Sequence, residues 1–269
     1  MKDSRQVVKS GFTLVELLVV IAIIAMLLSI VLPSLRAVRQ RAQEMVCRTN
    51  LRSLVLGVRM YAETHDGDLF GYWASGAYSG DLYLSQLAQQ IGDVDQVRYC
   101  PETTIDETRT SASRGNARQP WSWVLDGRVE YGSYGMNGWL YSYPQHLSWI
   151  ESEANLQRFA YPTTTAARSP HNVPVFSDAN WVDAWPKDTD TVPIALDLDE
   201  GGFGADGPVT NHMRRLILNR HRGTVGIAFL DGRVSSVELE RLWSYRWHRE
   251  FVTRGEEMTR TDGSPIYRR

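Results

Sequence analysis

Residues 12–32 read FTLVELLVVIAIIAMLLSIVL, and this stretch decides the fold of the chain. It contains 21 residues, of which Glu16 is the only ionisable one. A helix rises 1.5 Å per residue, so the run would be about 30 Å long, which matches the hydrocarbon core of a bilayer. The sequence therefore predicts a membrane-spanning helix over residues 12–33.

Two other kinds of N-terminal segment share some of these features. A secretory signal has an apolar core of about 7–15 residues that ends at a small-x-small cleavage site. This run is longer, and residues 33–36 (PSLR) contain no such site. A plain single-span anchor gives no reason for Glu16, because a carboxylate in the apolar segment costs roughly 2.5–3.5 kcal/mol. Glu16 therefore indicates a partner that neutralises its charge.

A short polar leader, residues 1–11, precedes the apolar run. Its basic residues Lys2, Arg5 and Lys9 outweigh Asp3. Positive charge favours the cytoplasmic side of a membrane. We therefore expect a single-pass protein whose N-terminus is cytoplasmic and whose residues after about 35 lie outside.

The sequence GFTLVELLVVI, residues 11–21, closely resembles the processing site of type IV prepilins and type II secretion pseudopilins. This resemblance implies that a membrane peptidase cuts after Gly11 and methylates the new N-terminal residue, Phe12. It also implies that Glu16 pairs with the N-terminal amine of a neighbouring subunit during assembly. The implied partners are the prepilin peptidase, other pilin or pseudopilin subunits and the inner-membrane assembly machinery. The filament would lie in the periplasm or at the cell surface.

The helical pattern continues over residues 34–64 as a spine. Apolar residues recur there at three- and four-residue spacing, including Leu51, Leu54, Val55 and Val58. We expect Pro33 to kink or loosen the helix, and a turn at residues 65–68 to end it. Packing of this half on an antiparallel sheet would give an α+β, pilin-like fold.

The region from residue 65 to 212 reads as short apolar stretches joined by Gly-, Ser- and Pro-rich connections. Residues 81–91 predict a short helix, and apolar stretches occupy residues 173–176 and 192–196. The final segment, residues 253–269, is a polar tail that we expect to be loosely ordered.

Residues 213–252 predict a hairpin followed by a helix. The apolar run 224–230 reads as a strand, Asp231-Gly232 as a type I′ turn, and residues 233–237 as the returning strand. Ser235 and Glu238 have capping-box spacing for the helix that follows.

His221, followed after nine residues by Asp231-Gly232, resembles the prepilin processing-associated domain named for its H-X9-DG spacing. That domain occurs in large prepilin-like families that are expanded in planctomycetes and related bacteria. Shorter resembling segments lie at residues 47–52, 99–101, 133–137 and 176–178. We interpret the motif as structural: Asp231-Gly232 forms the turn, and His221 fastens the incoming loop. The seven-residue strand between them would be roughly 23 Å long, so the two side chains should not touch.

The composition limits the remaining classes of function. A formal net charge of −2 gives no reason to expect a nucleic-acid partner, and three lysines are too few for a pilus cross-linked through lysine isopeptide bonds. The chain has two cysteines, Cys47 and Cys100, without metal-site spacing. In an exported chain we expect them to form one disulfide.

A calcium site is the candidate metal centre. Asp197, Asp199, Glu200 and Asp206 crowd into one glycine-rich loop, and calcium prefers hard oxygen ligands at short spacing. The resemblance to pseudopilins points the same way, because major pseudopilins bind calcium in a C-terminal loop. The spacing does not reproduce an EF-hand, and a solvated acidic loop is the alternative.

An enzyme and a surface-displayed binding protein are the two alternatives to a structural role. An enzyme is disfavoured because the chain has none of the common catalytic motifs and its six histidines are scattered. A surface-displayed binding protein, exported by the same leader, could use aromatic rings to hold a glycan or a protein, whereas buried rings would only be core. The rings concerned are Trp121, Trp123, Trp139, Trp149, Trp181 and Trp185. The sequence favours a subunit of a type IV pilus-like or pseudopilus filament.

Overall fold

The computed structural model describes residues 14–72, 83–125, 127–142, 152–191, 199–200 and 211–254. The chain divides into two compact units, Met1–Ala42 and Gln43–Arg269. Helix α1, Leu14–Thr64, begins in the first unit and ends in the second. It continues through Pro33, so the proline does not end the helix.

The described part of the apolar run is exposed along its whole length. Every residue from 14 to 32 is exposed, and Leu14 and Met26 are 78% and 69% exposed. α1 is long and apolar enough to cross a membrane, with a mean hydropathy of 3.1 over its most apolar window. This segment is the one that the sequence predicts to lie in lipid.

The second unit begins with the C-terminal half of α1, which buries one face. The buried residues are Cys47, Asn50, Leu51, Leu54, Val55, Gly57, Val58 and Ala62. Their spacing is helical, and the predicted core positions in this half are confirmed. The helix ends as expected at a turn in which Asp66 and Gly67 have φ angles of 52° and 88°.

The buried face of the C-terminal half of α1 packs on a mixed sheet. Within the described residues the strand order is β5-β3-β4-β6-β7, and all neighbours are antiparallel except β3 and β5. A separate hairpin joins β1 and β2. The strands are β1 Trp121–Leu125, β2 Arg128–Gly132, β3 Tyr134–Asn137, β4 Pro174–Asp178, β5 Asp183–Ala184, β6 Thr224–Phe229 and β7 Val234–Glu238. The predicted α+β architecture is confirmed.

The described residues contain two further helices and several 3₁₀ segments. Helix α2, Tyr83–Ile91, confirms the prediction for residues 81–91, with Leu84 and Leu87 buried. Helix α3, Glu153–Phe159, was not predicted; the Ser152 hydroxyl caps it by accepting a hydrogen bond from Asn155 N. The 3₁₀ segments are Val94–Gln96, Gly138–Leu140, Thr164–Ala166, Pro170–Asn172, His212–Arg215 and Leu239–Ser244.

The predicted C-terminal hairpin forms, but its turn is of another type. Gly232 has a φ of 90°, whereas Asp231 does not have a positive φ, so the type I′ prediction is wrong. Gly232 N donates to Phe229 O at 2.8 Å, and Phe229 N donates to Arg233 O at 2.8 Å. These bonds close a three-residue loop that ends in a left-handed glycine. An Asp-Gly pair suits both turns because both need a left-handed residue at the glycine.

The capping box predicted at Ser235 and Glu238 is also wrong. Ser235 lies in β7, where it pairs with Ile227. The strand continues to Glu238, which precedes the 3₁₀ segment Leu239–Ser244 and makes no side-chain cap. Strand pairing uses the backbone of Ser235, so a helix cannot begin there.

Candidate functional site

The N-terminal site residues fall partly within the described chain. Gly11 and Phe12 lie outside the described residues. Glu16 lies in the first turn of α1 and is exposed on a surface formed by apolar side chains, including Leu17 and Val20. A carboxylate at a helix N-terminus is stabilised by the helix dipole, but in lipid it also needs a positive partner.

A second group of chemically active side chains lies inside the globular unit. Cys47 comes from α1, Cys100 from the segment after the first 3₁₀ turn, and His221 from the residues before β6. Their ligand atoms lie within 4.8 Å of one another, and all three residues are buried. Both cysteines are free thiols in this structure. The Cys47–Cys100 disulfide stays a prediction.

The His221 ring has three polar neighbours among the described residues. Its Nδ1 lies 3.3 Å from Glu102 Oε1, and its Nε2 lies 3.4 Å from Asp178 Oδ2. Nε2 is also 3.5 Å from Cys100 Sγ. His221 therefore contacts carboxylates that come from a loop and from strand β4.

Asp178 is the centre of the polar contacts around this histidine. It is fully buried; its Oδ1 accepts a hydrogen bond from Arg220 Nη1 at 3.0 Å, and its Oδ2 accepts one from Gly226 N at 2.7 Å. Burial raises the pKa of the Asp178 carboxyl, but the charges of His221 and Arg220 more than offset burial and hold it at about 2.

The protonation of the three donors follows from burial and these contacts. Burial lowers the pKa of His221, but Asp178 outweighs this effect and the pKa is raised to about 12. Burial raises the pKa of Cys100, but hydrogen bonds from Cys47 and His221 bring it down to about 6. Burial and the contact with Cys100 raise the pKa of Cys47. These contacts therefore make Cys100 the more acidic of the two thiols and favour the protonated His221 ring.

Asp231 and Gly232 do not take part in this cluster. They follow the far end of β6, where Arg59 Nη1 of α1 donates to Asp231 O at 2.9 Å. The Asp231 Oδ1 atom accepts a hydrogen bond from Arg233 N at 2.9 Å within the turn. The structure thus brings His221 to the cysteines and leaves Asp231 at the other end of the strand.

Comparison with known proteins bears on the N-terminal segment. The model of the prokaryotic N-terminal methylation motif matches residues 8–32, a range that contains Gly11, Phe12 and Glu16. The N-terminal segment is type IV pilin-like.

One curated relative agrees with this conclusion. The type IV wide pilus major component PilA4 of Thermus thermophilus is 49% identical over 51 residues, which are 19% of this chain. The match covers 39% of that protein, so the chain spans less than half the length of the relative. By its name the relative is a major component of a type IV wide pilus. No solved structure matches the chain.

The acidic loop is only partly described. Asp197 and Asp206 lie outside the described residues. The Asp199 carboxylate lies 3.7 Å from Arg118 Nη2 and accepts a hydrogen bond from Asn219 Nδ2 at 3.2 Å. The ion pair and the hydrogen bond each engage a carboxylate oxygen that a calcium ion would need. The calcium site stays a prediction.

Three of the five clustered tryptophans that the structure describes belong to the core. Trp121, Trp139 and Trp185 are at most 3% exposed, and Trp149 lies outside the described residues. Trp123 and Trp181 are half-buried and pack edge to face with ring centroids 5.4 Å apart. The described rings therefore offer little free aromatic surface to a ligand.

Sequence reasoning singled out His221 and both cysteines but not the charged residues around them. In the sequence Asp178 stands out only as the end of a short resembling segment, and no motif marks Glu102 or Arg220. One signal was available: Arg220 comes two residues after the apolar run 216–218, and an arginine that is fully buried there is almost always paired.

Proposed function

We propose that this chain is a structural subunit of a type IV pilus-like or type II secretion pseudopilus filament. It is made as a precursor, cut between Gly11 and Phe12 by a prepilin peptidase, and methylated on Phe12. The observation that carries this proposal is the N-terminal methylation motif over residues 8–32. The H-X9-DG resemblance around His221 supports the further proposal that the globular unit is related to the prepilin-like families expanded in planctomycetes.

The exposed apolar half of α1 serves two states of the subunit. Before assembly it spans the inner membrane, with the basic leader in the cytoplasm and the globular unit outside. In the filament the same surface, from Leu14 to Leu32, packs against the helices of neighbouring subunits. Every residue of this segment is exposed in a single chain. This supports the proposal, because monomeric soluble proteins rarely leave so large an apolar surface uncovered.

Glu16 sets the register of this packing. Its carboxylate pairs with the methylated amine of Phe12 on the next subunit, and each charge neutralises the other in an apolar surrounding. An uncompensated carboxylate there costs roughly 2.5–3.5 kcal/mol. The pair between subunits turns this cost into a preference for one relative position of the two helices.

The test compares Glu16→Ala with Glu63→Ala in the native host. Glu63 is an exposed acidic residue of the same helix, outside the apolar run. We expect Glu16→Ala to give processed protein in the membrane fraction but no filaments by electron microscopy. Glu63→Ala should assemble normally. A normal filament yield from Glu16→Ala would overturn the proposed assembly mechanism.

The competing interpretation, a surface-displayed binding protein, has lost its main support. It relied on exposed tryptophans, and three of the six rings are core. We therefore propose no second function.

A further inference from the structure

We propose that Cys47, Cys100 and His221 form a structural zinc site inside the globular unit. The two thiol sulfurs and one imidazole nitrogen lie within 4.8 Å of one another, and the three residues are 1%, 0% and 7% exposed. Nitrogen and sulfur donors of this kind are the ligands that zinc prefers in closed structural sites. The proposal is independent of the N-terminal processing.

The spacing of the nitrogen and sulfur donors is also compatible with a tetrahedral ion. His221 Nε2 is 3.5 Å from Cys100 Sγ and 3.4 Å from Asp178 Oδ2. An N–H···O hydrogen bond is usually about 2.9 Å long. Around zinc, with bonds of about 2.0–2.3 Å, adjacent nitrogen and sulfur ligands are roughly 3.5 Å apart. The His221–Cys100 distance is thus compatible with two ligands of one ion, whereas Asp178 lies beside the three donors and is not one of them.

The orientation of the imidazole supports the same conclusion. Glu102 Oε1 lies 3.3 Å from His221 Nδ1, where it can accept a hydrogen bond from Nδ1–H. A carboxylate in this position fixes the tautomer that leaves Nε2 free as a ligand, as in the carboxylate–histidine–zinc arrangement of many metalloproteins. Nε2 is the nitrogen that faces Cys100.

The surrounding charges also suit the ion. Two thiolates and one neutral imidazole around Zn²⁺ carry no net charge. Arg220 donates to Asp178 Oδ1 at 3.0 Å, and the side chain of each residue is 0% exposed. The guanidinium therefore balances the Asp178 carboxylate beside the site without solvent. Thiolates are soft ligands, so they favour zinc over calcium or magnesium.

A zinc ion here would connect three distant parts of the chain. Cys47 lies on the spine half of α1, Cys100 follows the second helix, and His221 begins the C-terminal hairpin. These segments carry the hydrophobic core, and the ion would hold α1 against the sheet. Because the site is closed, the metal would be bound during folding. The predicted disulfide uses the same two sulfurs and excludes this ion.

The test uses the full chain, purified in detergent under reducing conditions. After the metal is exchanged for Co²⁺, we expect the intense thiolate-to-cobalt charge-transfer absorption of a tetrahedral site. The chain as isolated should contain one zinc ion, and chelation should lower its melting temperature. His221→Gln should lose the cobalt spectrum or shift it strongly. The matched control is His65→Gln at an exposed histidine, which should keep the spectrum.

Two results would overturn the proposal. The first is a folded, reduced, metal-free chain that shows no thiolate-to-cobalt absorption after Co²⁺ is added. The second is a chain, isolated with its free thiols blocked, whose mass shows Cys47 and Cys100 joined in a disulfide. Neither result depends on the folding of a variant, because both are measured on the unaltered sequence.

Discussion

Arg220 and Asp178 form an ion pair that is fully enclosed by the globular unit, with Nη1 3.0 Å from Oδ1. Arg220 also donates to four backbone carbonyls, those of Ser133 at 2.6 Å, Asn116 at 2.8 Å, Ala117 at 3.3 Å and Ala179 at 3.5 Å. One side chain thus satisfies carbonyl groups from three separate segments. A guanidinium suits this position because its five donors lie in a fixed plane.

Removal of Arg220 should destabilise the fold strongly. Arg220→Met would leave the Asp178 carboxylate buried without its partner, which costs on the order of 3–5 kcal/mol. The measurement is urea unfolding of the full chain in detergent. Arg158→Ala is the matched control, because Arg158 pairs with Glu250 where both side chains are about half exposed. The control should cost less than about 1 kcal/mol. Equal losses in the two variants would contradict this account of the buried pair.

Gly226 allows helix α1 to approach the sheet closely. A Cβ at this position would lie 2.5 Å from Leu51 Cδ1 and 3.3 Å from Asp178 Oδ2. Leu51 is completely buried, so its side chain has little room to move. Gly226→Ala should therefore cost about 1–3 kcal/mol by overpacking.

A double-mutant cycle with Leu51→Ala tests this contact directly. The smaller side chain leaves space for the new methyl group, so the double variant should lose less stability than the sum of the single losses. We expect a coupling energy of roughly 1 kcal/mol or more. Strictly additive losses would show that the contact does not limit the approach of the helix.

His248 should make the globular unit sensitive to acid. Its ring is 1% exposed and packs against Trp139, Phe159 and Phe251. Burial lowers its pKa from the usual 6.5 to about 4, although Asp188 and Glu250 oppose this shift. The folded state therefore holds the neutral ring, and the unfolded chain takes up a proton first as the pH falls. The stabilisation is complete above pH 6.5 and is lost as the pH falls towards 4.

His248→Phe isolates this contribution. The stability difference between parent and variant should change by on the order of 3 kcal/mol between neutral pH and pH 4. Chemical unfolding at several pH values gives this difference. The comparison at pH 8 is the internal reference, because the ring is then neutral in both states. A difference that does not vary with pH would contradict a buried neutral histidine.

The elements that could be predicted are those with a local pattern. The spine half of α1 follows from the spacing of Leu51, Leu54 and Val58, and β6 follows from an uninterrupted apolar run. The turn type at Asp231-Gly232 could not be deduced, because the register of β6 on β7 decides whether one or two residues become left-handed. Ser235 illustrates the same limit, since its capping-box spacing also fits a strand.

The buried cluster shows why the site was only partly predictable. His221 could be singled out by its distance from Asp231-Gly232, but its partners are far away in sequence. Glu102 is 119 residues from His221 and Asp178 is 42 residues from Arg220. They meet because β4 pairs with β6 in the sheet, and no local pattern reports that pairing.

The central claim is that a precursor is cut after Gly11 and becomes a filament subunit. Mass spectrometry of the chain extracted from membranes of the native host tests it most directly. We predict an N-terminal peptide that begins at Phe12 and carries one methyl group on its amine. A Gly11→Val variant should keep its leader, which provides the control. A mature chain that retains Met1 or Lys2 at its N-terminus would contradict the account.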